Sequence, residues 1–257
     1  MPDRDSGSKH AAKLVPKESH KKGCVTKHEA KFDDPKYPDC AYRPKGYDEI
    51  KKDSKKNSLY QIDFTQQHND TRLPRIYREL KIGFKKDKKG SYSYADDPRD
   101  EKKKKAWWIG EGKNYQIAYL PFNHNYHHIL PFSALKGLNY KELDIIQGSG
   151  YNLNEGINLI ILPCLREYGY AIMLPSHPYD HRVYTAHVKQ IIDQIKQDIN
   201  DDDDDDDHKV TKDNVGDFKS KTNKWEKKEF WVIVEYGQAQ ALKRQVADIN
   251  KAPVTKA

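Results

Sequence analysis

Apolar residues thicken after residue 106 and fall into a few periodic runs separated by polar stretches. The longest run covers residues 179–199. There Tyr184, His187, Val188, Ile191, Ile192, Ile195 and Ile199 recur at helical spacing on one face, which predicts an amphipathic helix. Residues 158–162 are continuously apolar and closed by Pro163, a strand pattern. Residues 114–120 alternate well enough for a strand leading into His127 and His128, and Pro131 ends or bends it because proline cannot join a central ladder. Residues 139–147 predict a short helix stopped by Gly148 and Gly150, and residues 164–176 a loop. Beyond these, residues 229–236 read as a strand and 238–249 as a final helix. Nearer the start, residues 59–64 read as a short strand, 73–80 as a helical turn opened by Pro74, and 84–94 as a basic hairpin around Lys88, Lys89 and Gly90. Residues 1–57 show little period and are expected to be extended or irregular, wrapping the core.

These elements predict an α+β protein in four parts. Residues 1–110 form a basic, partly irregular N-terminal region and 111–200 the core. Residues 201–223 form an acidic flexible loop, since the seven aspartates at 201–207 repel one another. Residues 224–257 add a C-terminal strand and helix packing on the core.

Composition narrows the function classes. Of 257 residues, 36% are apolar and 33% charged, so part of the chain is expected to be solvated. No stretch approaches 18 apolar residues, so no membrane span is expected. The first 22 residues lack an apolar segment, so no cleavable signal peptide is expected. Residues 1–120 carry 29 Lys and Arg against 19 Asp and Glu, while residues 121–257 carry 17 against 20, seven of the latter being the aspartate run. Both halves are therefore basic outside one block, which suits a polyanionic partner. Lysines 102–105 precede Trp107 and Trp108. A solvated run beside two core tryptophans is the favoured reading there over a base-stacking site. Three cysteines, Cys24, Cys40 and Cys164, are too few and of the wrong parity for a disulfide framework. Cys24, His28 and Cys40 could offer three zinc ligands, but no fourth stands at finger spacing, and free thiols are the default.

The chemistry concentrates in one ordered series: His127-His128, Asn158, Leu162-Pro163, then His177-x3-His181 with Tyr184. Phosphodiester hydrolysis needs a base to deprotonate water and positive charge to stabilise phosphorus and the leaving oxygen. A histidine can be the base near neutral pH and a divalent cation can supply the charge. Adjacent histidines on extended backbone face opposite ways, so one can bind a metal while the other faces water. His177 and His181 can complete the metal shell, and Asn158 is a candidate to orient the base.

This series resembles the HNH/His-Me finger nucleases, more narrowly the AHH branch found in bacterial polymorphic toxins and related to endonuclease VII. In that branch a His-His pair is followed by a segment like Asp-Ile-Asn-Asp, a central Asn, Leu-Pro and His-x3-His-x2-Tyr, and here Asn152-Leu153-Asn154-Glu155 stands for the first part. The resemblance covers residues 115–199. Tyr126 stands where the branch has its namesake Ala, and Leu159 where it has Gly. The resemblance implies a ββα-metal core, with His127, His177 and His181 as metal ligands, His128 as general base, and Asn158 orienting His128 and bracing the loop. It implies one divalent metal ion, with Mg or Mn serving turnover and Zn or Ni bound on isolation. It further implies a largely sequence-independent DNase acting on double-stranded DNA as an antibacterial toxin, delivered by a secretion system and neutralised by a cognate immunity protein. An RNase of the same architecture and a non-catalytic nucleic-acid-binding protein with a structural metal knuckle are the two alternatives. His124 and His187 have no place in the series and are read as structural or surface residues.

Overall fold

The structure, a computed structural model, describes residues 23–25, 40–63, 84–86, 92–94, 106–110, 112–135, 146, 148–177, 182–200 and 212–251. The chain divides into two compact units, each assembled from separate stretches. Unit one comprises residues 1–50, 126–160 and 179–230; unit two comprises residues 51–125, 161–178 and 231–257.

Helix α1 (Tyr42–Lys52), whose residues 42–50 belong to unit one, buries Tyr42, Gly46, Tyr47 and Ile50. That spacing makes a single apolar stripe, and Lys51 and Lys52 sit at the negative end of the helix dipole. In unit two, Asp53 caps helix α2 (Ser54–Leu59), accepting from the Lys55 and Lys56 amides at 2.9 and 3.1 Å. Residues 42–59 are thus helical where irregular chain is expected. The α1 stripe is narrow, and Pro44 and Gly46 conceal its period.

The core of unit one joins Val25, Leu130, Leu135, Ile146, Tyr151 and Leu153 to Val188 and Ile192 of helix α4 (Arg182–Asn200) and Phe218 of helix α5 (Lys212–Lys251). Helix α4 follows the predicted period: Val188 and Ile192 are buried, Tyr184 and Ile191 half-buried, and its contacts fall on the 3-10 turn Phe132–Leu135. His187 lies exposed.

Strands β5 (His124–His128) and β6 (Leu159–Pro163) form a two-stranded antiparallel sheet. The Ile129 amide donates to the Asn158 carbonyl at 2.8 Å and the Cys164 amide to the Asn123 carbonyl at 2.9 Å, bracketing the pair. Every residue of β6 is buried, as its unbroken apolar run predicts. Unit two also holds β1 (Ile62–Asp63) antiparallel to β4 (Ala106–Trp107), and the expected hairpin of β2 (Phe84–Lys86) and β3 (Tyr92–Tyr94). Its core is a file of aromatic rings: Tyr60 on Tyr115, Tyr115 on Phe122, and Phe122 stacked on Tyr168 at 5.0 Å.

Three local expectations are corrected. Residues 114–120 form successive turns, not a strand: Tyr115 is left-handed (φ 62°), and its amide closes on the Leu120 carbonyl at 2.7 Å. Residues 164–176 contain helix α3 (Arg166–Ile172), ended by left-handed Met173. The expected C-terminal strand and helix are one helix, α5, which also begins inside the stretch expected to be an acidic loop. The β-branched and aromatic residues of 229–236 favour a strand locally. However, Phe218, Thr222, Glu226, Phe230, Val234, Gly237 and Ala241 are buried at helical spacing, and tertiary burial prevails. The predicted turn at 73–80 and the aspartates at 201–207 lie outside the described residues. Among the described residues no helix is long and apolar enough to cross a membrane.

Candidate active site

Along β5 the residues alternate: His124, Tyr126 and His128 are buried, Asn125 is exposed and His127 half-buried. The two histidines therefore face opposite sides of the strand, as adjacent residues on extended backbone must. Each ring rests on a tyrosine. His128 lies 5.0 Å from the Tyr42 ring of α1, centroid to centroid, and His127 lies 5.7 Å from the Tyr184 ring of α4. The Tyr184 hydroxyl donates to the Ile129 carbonyl at 2.7 Å, tying α4 to the chain one residue past the pair. Burial drives the Tyr184 phenol well above the usual range, and the charges of Glu229 and Glu226 add to that. It stays a neutral donor at ordinary pH.

Asn158 clasps the same segment. It is fully buried; its Oδ1 accepts from the Leu130 amide at 2.6 Å, and its Nδ2 donates to the carbonyls of Leu130 at 3.2 Å and Leu153 at 2.8 Å. The side chain thus spends its donors and its acceptor on backbone. It fixes the turn that follows His128 and ties it to the 153 loop, reaching the histidine through the main chain.

Tyr126 and Leu159, the two residues that depart from the resembled motif, meet at one place. A Cβ at Gly46 would stand 2.9 Å from Tyr126 Cδ1 and 3.0–3.1 Å from Leu159 side-chain atoms. Glycine on α1 makes the room that the larger residues at 126 and 159 fill. A Cβ at Gly156 would likewise press on the Lys45 carbonyl and lie 2.7 Å from Glu49 Cβ, so α1 and the 156 turn touch through backbone. Lys45 also bridges Glu155 at 2.7 Å, a partly exposed pair of small energetic weight.

The remaining histidines divide clearly. His124 is buried with Nδ1 2.8 Å from the Phe122 carbonyl and Nε2 3.2 Å from the Tyr115 carbonyl, a structural role that occupies both ring nitrogens. His187 stands 4.0 Å from Glu229, whose carboxyl burial raises. His177 belongs to unit two, where its amide donates to the Pro163 carbonyl at 2.7 Å, and His181 lies outside the described residues. Among the described residues no three His, Cys, Asp or Glu side chains gather as a metal shell. The structure brings His127, His128, Asn158 and Tyr184 together around residues 127–130. It adds Tyr42, which no motif signals because it comes from a helix outside the ordered series.

Residues 110–225 match the model of AHH, a nuclease family of the HNH/ENDO VII superfamily with conserved AHH. The segment that carries the histidine pair is thus similar to the AHH nucleases of the HNH/ENDO VII superfamily. Nucleic acid is the substrate class this implies. The mixed helices and small antiparallel sheets are compatible with an α+β nuclease fold. No curated protein and no solved structure matches the chain.

Proposed function

We propose that this protein is a metal-dependent endonuclease that hydrolyses phosphodiester bonds in double-stranded DNA without strong sequence preference. The observation that carries the reading is the pair His127-His128 on opposite faces of one strand inside a nuclease-family segment. In this reading residues 111–200 are a ββα-metal core. His128 takes the proton from the attacking water, while His127, His177 and His181 would hold one divalent cation. Three imidazoles suit a borderline cation such as Zn or Ni on isolation, with Mg or Mn in turnover. The bound cation would neutralise charge on the phosphoryl and leaving oxygens. Tyr42 fixes the His128 ring by packing, and Asn158 and Tyr184 hold the backbone at 129–130, so the base keeps one orientation. The basic N-terminal half supplies phosphate contacts, which position without specifying sequence.

One observation favours a second assignment of the pair. His127 is the more exposed of the two and His128 is only 6% exposed, so an exchange of roles would put the open ring at the water. The variants separate these: whichever of His127→Ala and His128→Ala keeps the metal but loses cleavage identifies the base.

The biological setting follows the family resemblance. The protein is proposed as an antibacterial toxin made in the bacterial cytoplasm, delivered into competitor cells by a secretion system and held inactive at home by an immunity protein. Supercoiled plasmid and RNA, incubated in parallel with the protein and Mg, with EDTA and with His128→Ala, test the enzymatic core. Plasmid cleavage that disappears in both controls is the expected result. Cleavage of RNA alone would move the substrate to RNA. Intact substrates under Mg, Mn, Ni and Zn alike would overturn the enzymatic reading in favour of a binding protein.

A further inference from the structure

Cys24 and Cys40 are both fully buried free thiols, and the neighbouring Cys24 is the first cause that holds the Cys40 thiol above its ordinary range. Cys24 lies in a parallel bridge to Asn152: its amide donates to the Tyr151 carbonyl at 2.9 Å, and its carbonyl accepts from the Leu153 amide at 2.7 Å. Cys40 lies two residues before Tyr42, whose ring packs on His128. Each sulfur also meets an asparagine amide. Asn152 Nδ2 donates to Cys40 Sγ at 3.7 Å and Asn154 Nδ2 to Cys24 Sγ at 3.9 Å. The Asn-x-Asn segment therefore serves the sulfur pair.

We propose that Cys24 and Cys40 are a disulfide site, closed when the chain folds in an oxidising medium, and that the cross-link fastens the 23–25 segment to the start of α1. A metal fits the pair less well. Structural zinc takes four ligands, and here the flanking asparagines turn N–H donors toward the sulfurs, which opposes a cation beside them. The chemistry needs an oxidant, and a small disulfide such as oxidised glutathione suffices. One cysteine thiolate attacks it, releasing a glutathione thiol and leaving a mixed disulfide. The second cysteine displaces the other glutathione, forming the intramolecular S–S bond. The two protein sulfurs lose two electrons and two protons, which appear on two glutathione thiols. Exchange requires a thiolate, and in the folded protein the neighbouring Cys24 sulfur and then burial hold the Cys40 thiol protonated. Closure is therefore fast during folding and slow in the folded reduced protein, and the closed bond is in turn sheltered from reductants.

The test uses the full chain carrying Cys164→Ala, refolded from denaturant with reduced or with oxidised glutathione. The oxidised product should lose both free thiols and two hydrogens in mass, and yield a Cys24–Cys40 linked peptide on digestion. It should melt roughly 5–10 °C above the reduced form. Cys24→Ser in the same background should abolish that difference. Two alkylatable thiols after folding in oxidised glutathione, or glutathione adducts without a linked peptide, would overturn the proposal. So would one equivalent of zinc that survives chelator dialysis and protects both thiols from alkylation. Where refolding yield is low, native protein held in oxidised glutathione is read by the same peptide map. There the linked peptide should accumulate slowly, and its absence after the Cys24 and Cys40 thiols have been consumed overturns the proposal.

Discussion

Truncating Asn158 to alanine should damage this protein more than truncating any neighbouring polar side chain. The substitution strands three buried backbone groups at once: the Leu130 amide, the Leu130 carbonyl and the Leu153 carbonyl. Each orphaned group costs about 1–3 kcal/mol. Because the three share one site their losses are not additive, so a total of about 3–5 kcal/mol is reasonable. Typical domains have about 5–15 kcal/mol in all, so the variant should be marginally folded. Asn158→Asp keeps the acceptor for the Leu130 amide but turns an oxygen toward two carbonyls. It should therefore be destabilised at neutral pH and partly recover in acid, where a protonated carboxyl can donate to one of them. Guanidinium unfolding of wild type and both variants, with plasmid cleavage on the same samples, makes the check. Activity should fall in step with the folded fraction. A cost below about 1 kcal/mol for Asn158→Ala would refute the bracing role. Full stability with abolished cleavage would relocate Asn158 to the chemistry itself.

Two other predictions rest on packing and on charge. Gly46→Ala should cost about 1–3 kcal/mol by overpacking Tyr126 and Leu159. The penalty should shrink by at least about 0.5 kcal/mol when Tyr126→Ala is also present. An additive double-mutant cycle would show that the two positions do not share that space. Glu226 is buried with its Oε1 accepting from Tyr151 at 2.5 Å, and burial pushes its carboxyl up to about 8 from an ordinary 4.5. The folded state holds a proton that the unfolded state has released. Stability from this group is therefore complete below about pH 4.5, falls through the window by at most about 1.4 kcal/mol per pH unit, and is lost above about pH 8. Melting temperatures of wild type and Glu226→Gln from pH 4 to 9 should diverge in that window, with the glutamine variant losing less. Parallel curves would refute it.

The candidate site was legible to the extent that its parts are contiguous or periodic. The opposite facing of His127 and His128 follows from strand geometry, the burial of β6 from its apolar run, and the α4 face from its spacing at Val188 and Ile192. Contributions from distant chain were hidden. Nothing near Tyr42 marks it as the partner of His128, and Gly46 carries no sign that Tyr126 and Leu159 press on it. The residues at 229–236 misled for a different reason. Their propensity is for strand, while the residues that fix their state, Phe230 and Val234, are set by burial that a local window does not contain.

These long-range contacts bear on where the functional domain begins. The family match starts at residue 110, yet α1 supplies Tyr42 against His128, Gly46 beneath Tyr126 and Leu159, and Lys45 to Glu155. Deleting residues 1–53 removes Tyr42, Tyr47 and Ile50, each at most 5% exposed. At about 1.5–3 kcal/mol per buried side chain the loss is about 5–9 kcal/mol, before counting the partners left bare. That equals much or all of a domain's stability. The shortened chain should show no cooperative melting transition, bind a dye for exposed apolar surface and cleave nothing, although every histidine of the ordered series is retained. A truncated protein that melts cooperatively within a few degrees of the full chain and still cuts would place the whole functional unit inside the matched segment. It would also reduce α1 to a dispensable cover.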